Sequence, residues 1–390
     1  MHVTVLSLTD FRSYEQAELA LSPGVNVFLG RNGHGKTNLV EAIGYLATLG
    51  SHRVATDAPL VREGAALALV KMELQSAGRT ALLEVVIEPG KAKRARVNRS
   101  PIPKASGILG IARVVTFAPE DLALVKGDPG DRRRFLDDLL VQRRPLIASI
   151  RADYDRVLKQ RNALLRSTGA ARRANSPDVE RTLAVWDEQL ADHGAALTAA
   201  RVALVAQLRE PTAACYAHLS DAPEGAASGP CLDLRYSSAV QSWLPGAAPD
   251  HLPSEPEPWR EALIAAMGQR RREEMERGLT LVGPQRDDLE LRLGAHPAKG
   301  YASHGESWSI ALALRLASFQ LLRSQGEDPI LILDDVFAEL DTRRRARLAE
   351  MTSDAEQVII TAAVVEDVPA GLDGRRFHVD KGTVLAEEGQ

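Results

Sequence analysis

The sequence predicts an α/β fold with a separate helical lobe, and three observations support this prediction. Near the N-terminus, an apolar run at residues 24–29 precedes a glycine-rich loop, and apolar residues at helical spacing follow it. Near the C-terminus, residues 330–335 form a second apolar run that ends in two carboxylates. Between these regions, from Arg132 onward, long helical patterns replace the short strand-like ones.

The composition is that of a globular protein. The chain has 390 residues, 45% of them apolar, and a net charge of −4, so it is long enough for two or three compact units. Cys215 and Cys231 lack the clustered spacing of a zinc site, and we expect ordinary thiols of a reducing compartment. No leader pattern and no apolar run of about 18 residues is present, which predicts a cytoplasmic protein without a membrane partner.

The glycine-rich loop fits the pattern of a glycine, four residues, then Gly-Lys-Thr. Its residues are Gly30, Arg31, Asn32, Gly33, His34, Gly35, Lys36 and Thr37. Between a strand and a helix, this loop brings bare backbone N–H groups onto phosphate oxygens. We expect it to bind ATP, with Lys36 on the β/γ-phosphates and the Thr37 hydroxyl on Mg²⁺. The alternative is a glycine-rich turn with a chance lysine.

The carboxylates that end the second apolar run are Asp334 and Asp335. In a parallel sheet this strand end faces the crevice where ligands bind, so Asp334 is predicted to hold Mg²⁺. Asp335 is predicted to orient and polarise the attacking water. Together with Lys36 these are the catalytic candidates, although an Asp-rich turn at a strand end is common in proteins of other functions.

The segment 303–307, Ser-His-Gly-Glu-Ser, stands before a predicted helix at residues 308–323. The Ser303 hydroxyl, the N–H groups around Gly305 and the helix dipole would form a second anion site. One chain does not need two such sites. Facing the glycine loop of another copy, this segment would recognise the γ-phosphate, which predicts an ATP-dependent homodimer. As structure alone, Ser303 is an N-cap and Glu306 completes a capping box.

The predicted domains are an ATP-binding half, residues 1–130 and 280–390, and a helical lobe, residues 131–279. In the lobe a leucine recurs every seven residues, at Leu183, Leu190, Leu197 and Leu204. This spacing predicts two antiparallel helices of about 30 residues. Pro145 is the expected helix break, and a polar turn is expected at 168–177. Residues 221–258, rich in Pro and Gly, are predicted to form a partly disordered surface insertion.

Basic residues are clustered although the chain is weakly acidic. We name as candidate DNA contacts Arg53, Lys91, Lys93, Arg94, Arg96 and Arg99. The last five lie on a predicted hairpin edge, where cations also prevent edge-to-edge pairing of strands. DNA contact and edge protection therefore both remain open.

The order of glycine loop, Ser-x-Gly-Glu signature, Asp-Asp strand end and Glu339-Leu340-Asp341 resembles the ABC-type ATPase heads of the SMC, Rad50 and RecF group. Residues 8–14, 119–129 with Arg132-Arg133, and 283–289 are similar to motifs of the RecF family in particular. The resemblance implies an ABC-type P-loop head and a DNA replication and repair protein that dimerises around ATP. It also implies binding of single-stranded and double-stranded DNA, and action with RecO and RecR to place RecA at gaps.

Two departures from the ABC pattern affect this interpretation. Asp335 stands where many ABC heads have glutamate, so we expect slow, DNA-dependent hydrolysis used as a switch. The strand around residues 358–363 has no switch histidine, and Thr361 is predicted to take its place. An SMC-like structural head, a transporter-type ABC subunit and a small-molecule kinase are the alternatives. The absence of long rods disfavours the SMC-like head, and the helical lobe with its basic residues disfavours the transporter subunit. The serine signature disfavours the kinase, which has no use for it.

Overall fold

The computed structural model describes residues 1–169, 177–220, 231–244 and 251–387. The chain divides into two compact units. The first unit comprises Met1–Val125, Pro211–Gly229 and Ala302–Gln390, and the second comprises Lys126–Glu210 and Pro230–Tyr301.

The described residues form fifteen strands and eight α-helices. In chain order the strands are β1 (His2–Phe11), β2 (Tyr14–Ala20), β3 (Gly24–Leu29), β4 (Ala68–Ser76), β5 (Arg79–Ile87), β6 (Arg94–Val97), β7 (Ser100–Pro101), β8 (Val114–Phe117), β9 (Leu232–Ser237), β10 (Asp288–Leu293), β11 (His296–Pro297), β12 (Ile330–Asp334), β13 (Gln357–Ala362), β14 (Arg375–Asp380) and β15 (Thr383–Ala386). The helices are α1 (Lys36–Thr48), α2 (Leu122–Lys126), α3 (Pro129–Arg143), α4 (Leu146–Gly169), α5 (Pro177–Leu219), α6 (Pro256–Arg277), α7 (His304–Arg323) and α8 (Thr342–Thr352).

A mixed sheet in the first unit positions the candidate site. Its order is β15-β14-β3-β13-β12-β8, and every pair is parallel except β14 with β15. Strands β12 and β13 are buried along their whole length, as expected of central parallel strands. The carboxyl ends of β3, β12 and β13 therefore meet at one edge, where a ligand crevice is expected.

A second sheet in the first unit is antiparallel, in the order β2-β1-β4-β5-β6-β7. Its inner face, with Leu6 and Val70, shares a buried cluster with Leu39 and Ile43 of α1 and with Ile332 of the mixed sheet. Helix α1, predicted from its apolar spacing, is thereby fixed against both sheets. The predicted basic hairpin is the β6–β7 edge of this sheet.

The helical lobe contains the two predicted long helices and a further helix, α6. Pro145 separates α3 from α4, as expected. However, α5 has 43 residues and α4 has 24, whereas about 30 were predicted for each. Helix α6 packs against both of them. A methyl group added at Gly194 of α5 would lie 3.1 Å from Tyr154 of α4 and 3.2 Å from Leu263 of α6. The two long helices of the predicted helical lobe are therefore present but unequal in length, and most of the predicted turn between them lies outside the described residues.

The predicted insertion at 221–258 is wrong in its middle part. Strand β9 lies there and pairs with β10, with Leu232, Leu234 and Tyr236 buried at alternate positions. Residues 221–230 and 245–250 lie outside the described part of the chain. Because β10 pairs with β9, the chain up to Tyr301 belongs to the second unit, whereas we predicted the ATP-binding half to resume at residue 280.

Two smaller expectations concern thiols and membranes. Cys215 and Cys231 are both free thiols, the first buried and the second exposed. None of the helices in the described residues combines the length and the apolar content needed to cross a bilayer.

Candidate nucleotide-binding site

The glycine loop joins β3 directly to α1. Helix α1 has Gly35 as its N-cap, with a left-handed φ of 111° and no side-chain cap. The Tyr14 hydroxyl donates a hydrogen bond to the Gly35 carbonyl at 3.0 Å. A Cβ at this position would lie 2.8 Å from the Tyr14 oxygen and 3.0 Å from the Ser13 hydroxyl. Both conformation and space therefore require glycine, which leaves the first-turn N–H groups bare.

Lys36 lies across the loop that precedes it. Its ammonium donates to the Gly30 carbonyl at 2.8 Å and to Asn32 Oδ1 at 3.3 Å. The side chain is only 3% exposed, and Nζ lies 3.9 Å from Asp335 Oδ1. A buried ammonium held by loop oxygens adds positive charge at the point where phosphates would enter.

A cluster of two hydroxyls and a carboxylate lies at the carboxyl ends of the parallel strands. The Thr37 hydroxyl donates to Asp334 Oδ1 at 3.1 Å, and the Thr361 hydroxyl donates to the same oxygen at 2.6 Å. Burial raises the pKa of Asp334 to about 6. The charges of Asp335 and Glu120 contribute to this raised pKa, and the hydrogen bonds from Thr361 and Thr37 oppose the rise.

The donor set of this cluster fits Mg²⁺. A hydroxyl and a carboxylate at hydrogen-bond distance are the hard oxygen ligands that Mg²⁺ uses together with waters and substrate phosphates. Thr37 and Asp334 would hold the ion. No group of three or more His, Cys, Asp or Glu in the described residues could hold a metal by itself. An ion at this position would therefore depend on the nucleotide for its remaining ligands.

Asp335 is held in an unusual backbone conformation beside Thr361. Its φ is 50°, and its N–H donates to the Thr361 hydroxyl at 2.9 Å. Thr361 is 1% exposed, and its hydroxyl already serves both Asp335 and Asp334. This placement differs from our prediction that Thr361 substitutes for a switch histidine, because the buried hydroxyl has no open surface for a phosphate. It connects the Asp334 carboxylate to the backbone N–H of Asp335.

The serine signature forms a separate turn in the first unit. Helix α7 begins at His304, and Ser303 is its exposed N-cap. The Ser303 hydroxyl accepts the Glu306 N–H at 3.3 Å, and the Ser303 N–H donates to Glu306 Oε2 at 2.8 Å. These bonds hold the pKa of Glu306 below its ordinary value. Within the described chain, Ser303 makes hydrogen bonds only to its own helical turn, so the capping box is present.

Two of the candidate DNA residues are held by their surroundings. The Arg53 guanidinium donates to Asn38 Oδ1 at 3.0 Å. The Lys93 ammonium donates to the Leu49 carbonyl and lies 3.2 Å from Asp57. These contacts give Arg53 and Lys93 local structural roles, and DNA binding by either remains a prediction.

The other four candidates lie on or beside the β6–β7 edge. Lys91 and Arg94 pair with Glu88, at 2.5 Å and 3.6 Å. Arg96 and Arg99 are exposed, and neither side chain has an ion pair or hydrogen bond within the described residues. Arg99 lies in a tight turn with a φ of 68°. The structure thus separates the six candidates, and only Arg96 and Arg99 have cations free of an intramolecular partner.

Sequence reasoning missed several charged residues around the loop. Arg12 binds the buried carboxylate of Glu41 through two hydrogen bonds of 2.8 Å and 2.6 Å. Asp380 lies 2.9 Å from His34 of the predicted loop. Glu120 is close enough to influence the pKa of Asp334. The sequence did contain one signal: Glu41 is a carboxylate among the apolar residues of α1, which indicates a buried cationic partner such as Arg12.

Comparison with known proteins identifies the family. Residues 2–370 match the family model described as the RecF/RecN/SMC N terminal domain. A "DNA replication and repair protein RecF" from Frankia alni is 57% identical over 385 residues, covering 99% of each chain. The chain belongs to the RecF family. A RecF of Kineococcus radiotolerans is 56% identical over 395 residues, again covering 99% of each chain.

Solved structures agree with this assignment to RecF. The recombination mediator RecF solved with ATPrS in the RecFOR pathway has a TM-score of 0.85 and 26% identity, and 99% of this chain and 98% of that chain are covered. Its ATP counterpart has a TM-score of 0.84 and 25% identity, with 99% of each chain covered. An Smc head domain of Pyrococcus furiosus, at a TM-score of 0.53 and 16% identity over 99% of this chain and 96% of its own, shares the fold alone. The predicted α/β fold of an ABC-type ATPase head is confirmed.

Proposed function

We propose that this RecF-family chain is an ATP-dependent clamp on DNA. In this proposal ATP and Mg²⁺ bind at residues 30–37, two copies close around two nucleotides, and the closed homodimer holds DNA. Slow hydrolysis then reopens it. The relatives solved with ATP and ATPrS support the choice of nucleotide.

One observation carries the proposal: the glycine loop and the Asp-Asp strand end form a single cluster. Thr37 and Asp334 are 297 positions apart in sequence, yet their side chains lie at 3.1 Å. A chance glycine turn or an isolated Asp-rich turn would not bring a loop hydroxyl onto a buried carboxylate. This contact supports Lys36 as the phosphate ligand and Thr37 with Asp334 as the Mg²⁺ ligands. When bound, the ion would neutralise charge on the phosphates.

Asp335 is the candidate for orienting the attacking water. Its backbone is fixed by Thr361, and its carboxylate lies 3.9 Å from the Lys36 ammonium. Aspartate is one methylene shorter than the glutamate of many ABC heads, and here its charge is shared with a lysine. Both features support slow hydrolysis, which suits a switch better than a metabolic enzyme.

The Ser303 turn supports closure by two copies. It is exposed, it lies at the positive end of a helix dipole, and its hydrogen bonds stay within its own turn. These properties suit a surface that meets a nucleotide held by another molecule. A phosphate can compete for the neutral 3.3 Å bond between the Glu306 N–H and the Ser303 hydroxyl, because charge-assisted hydrogen bonds are stronger than neutral ones.

The test is complementation between two variants. With ATPγS and Mg²⁺, the wild-type chain should sediment as a dimer and Lys36→Ala as a monomer. Ser303→Ala should bind the nucleotide and stay monomeric. A mixture of the two variants should form heterodimers, because one composite site then combines an intact Lys36 with an intact Ser303. A site built within one chain predicts no gain on mixing, and that result would overturn the proposal.

A second variant separates the phosphate contact from the cap. Ser303→Asp keeps a good N-cap residue, whereas alanine costs about 1 kcal/mol of helix stability. Aspartate also places a negative charge at the proposed γ-phosphate position. It should therefore abolish dimers while leaving the melting temperature closer to wild type than alanine does. Dimers of Ser303→Asp equal to wild type would contradict the assignment.

DNA and protein partners complete the proposal. Arg96 and Arg99 are the proposed cations for the phosphate backbone of duplex or single-stranded DNA. Because the chain belongs to the RecF family, we propose that it acts in the cytoplasm with RecO and RecR to place RecA at gaps. Co-sedimentation of the purified chain with RecR on gapped DNA, with and without ATPγS, tests the partnership. Failure to associate in every condition would remove that part.

A further inference from the structure

Arg344 lies between the serine signature and the loop before α8. Asp341 is the N-cap of α8, and its Oδ1 accepts the Arg344 N–H at 2.9 Å. The Arg344 guanidinium turns back and donates through Nη1 to Asp341 Oδ2 at 2.7 Å. One residue thus makes both a backbone and a side-chain bond to Asp341, and this fixes its guanidinium near the loop 339–341.

The same guanidinium lies against Gly305. A Cβ built on Gly305 would be 3.0 Å from Arg344 Nη1 and 3.2 Å from Nη2. Gly305 is in the first turn of α7 and is absent from the residues with positive φ, so its backbone does not require glycine. The Arg344 guanidinium therefore lies against this position of the Ser-x-Gly-Glu signature, and a side chain added there would have to displace it.

Electrostatics links Arg344 to the same turn. The positive charge of Arg344 adds to the bonds from Ser303 that lower the pKa of Glu306. Yet Arg344 Nε is buried, and it has no hydrogen-bond partner within the described residues. A buried charged donor without a partner costs stability. The guanidinium is therefore bonded to Asp341 through Nη1 but only partly satisfied within the described part of its own chain.

We propose that Arg344 is a positioning residue for the closure of two copies. It connects the Ser303–Glu306 turn to the loop 339–341, so that the turn which meets the nucleotide of the other copy is held rigidly against its own chain. This inference rests on the proposed function and adds a residue to its signature half. Arg344 acts through Gly305 and Asp341 and is not assigned a contact with ATP.

The experiment compares Arg344→Met, Arg344→Lys and the control Arg347→Met. Arg347 lies on the same helix, and its Nη1 donates to the Ser220 carbonyl at 2.6 Å. Arg344→Met should weaken ATPγS-dependent dimerisation about tenfold or more, because it removes charge-assisted contacts. Its affinity for a fluorescent ATP analogue should stay within about twofold of wild type. Arg347→Met should dimerise as wild type does, and Arg344→Lys should recover only part of the loss because lysine lacks the planar fork.

Mixing assigns Arg344 to one half of the composite site. Arg344→Met with Lys36→Ala should form heterodimers, since one composite site keeps an intact Lys36 opposite an intact Arg344. Arg344→Met with Ser303→Ala should not, since both changes damage the same half. A general folding defect predicts no such difference between the two mixtures, and melting temperatures provide an independent check.

The outcomes separate this inference from the proposed function. If wild type does not dimerise with ATPγS, the proposed function fails. If wild type dimerises and the Lys36 and Ser303 variants complement, but Arg344→Met dimerises normally, the role of Arg344 is overturned and the clamp stands. Equal behaviour of the two mixtures would also overturn it.

Discussion

Helices α1 and α7 both begin at a glycine-containing turn, but the two turns are built in opposite ways. The first has no side-chain cap, and the rest of the unit fixes it through Tyr14 and through Thr37 on Asp334. The second is exposed and satisfies its own groups through the Ser303 capping box. Both present a helix N-terminus, but only the first contacts the two carboxylates at the end of β12.

This difference distinguishes a primary binding site from a recognition surface. A turn with bare N–H groups, a buried lysine and a metal-type carboxylate is prepared for a ligand within its own chain. An exposed turn whose hydrogen bonds are satisfied within itself is stable without a ligand and remains available to bind one held by another molecule. The comparison predicts that damage to the first turn abolishes nucleotide binding, whereas damage to the second affects only assembly.

The largest effect is expected from Lys36→Ala. Removing the ammonium deletes the positive charge over the loop, and the affinity for ATP should fall about 100-fold or more. Equilibrium titration with a fluorescent ATP analogue measures this. The matched control is Lys71→Ala, because Lys71 is more exposed and pairs with Glu84 at 3.5 Å. An unchanged affinity in Lys36→Ala would remove the distinction between the two turns.

A large effect on turnover is expected from Thr361→Val. Valine keeps the shape but removes the hydroxyl that serves Asp334 and Asp335. The ATPase kcat should fall about tenfold, ATP affinity should change little, and Thr361→Ser should restore most of the rate. Steady-state kinetics with and without DNA provide the measurement. Thr352→Val is the control, since that buried hydroxyl bonds only within α8, and a loss of rate there would point to general destabilisation.

A smaller effect is expected from Gly305→Ala. By helix propensity alone, alanine would stabilise α7 by roughly 1 kcal/mol. The added Cβ would instead push the Arg344 guanidinium away, so dimerisation should weaken about threefold while ATP binding is kept. The double variant with Arg344→Ala should show little further loss. Tighter dimers in Gly305→Ala, measured by sedimentation, would contradict the steric argument.

The smallest effect is expected from Arg96→Gln with Arg99→Gln. If both cations contact DNA phosphates, the salt dependence of DNA affinity should become shallower by about two counterions. Lys91→Gln with Arg94→Gln is the matched control, because both residues already pair with Glu88. Fluorescence anisotropy across a salt series measures both slopes. Equal slopes for wild type and Arg96→Gln/Arg99→Gln would leave the edge with a protective role only.

Local pattern predicted much of the fold and of the candidate site. The strand–loop–helix at residues 24–48, the Asp-Asp strand end and the N-cap at Ser303 could be predicted because each depends on neighbouring residues with a regular period. The same approach missed β9, because a strand whose partner is β10 has only a short alternating pattern within a Pro-rich and Gly-rich segment. It also gave no indication that Arg53 and Lys93 have hydrogen-bond partners in other segments of the chain.

The sequence by itself determined the family, the ABC-type head and the residues that begin each turn, because these follow from the order and spacing of short motifs. Only the tertiary structure decided that Thr361 lies beside Asp334 in the parallel register of β13 with β12. The same holds for Arg344 against Gly305. Such contacts join segments far apart in the chain, and their geometry is set by sheet register and packing, which no local period encodes.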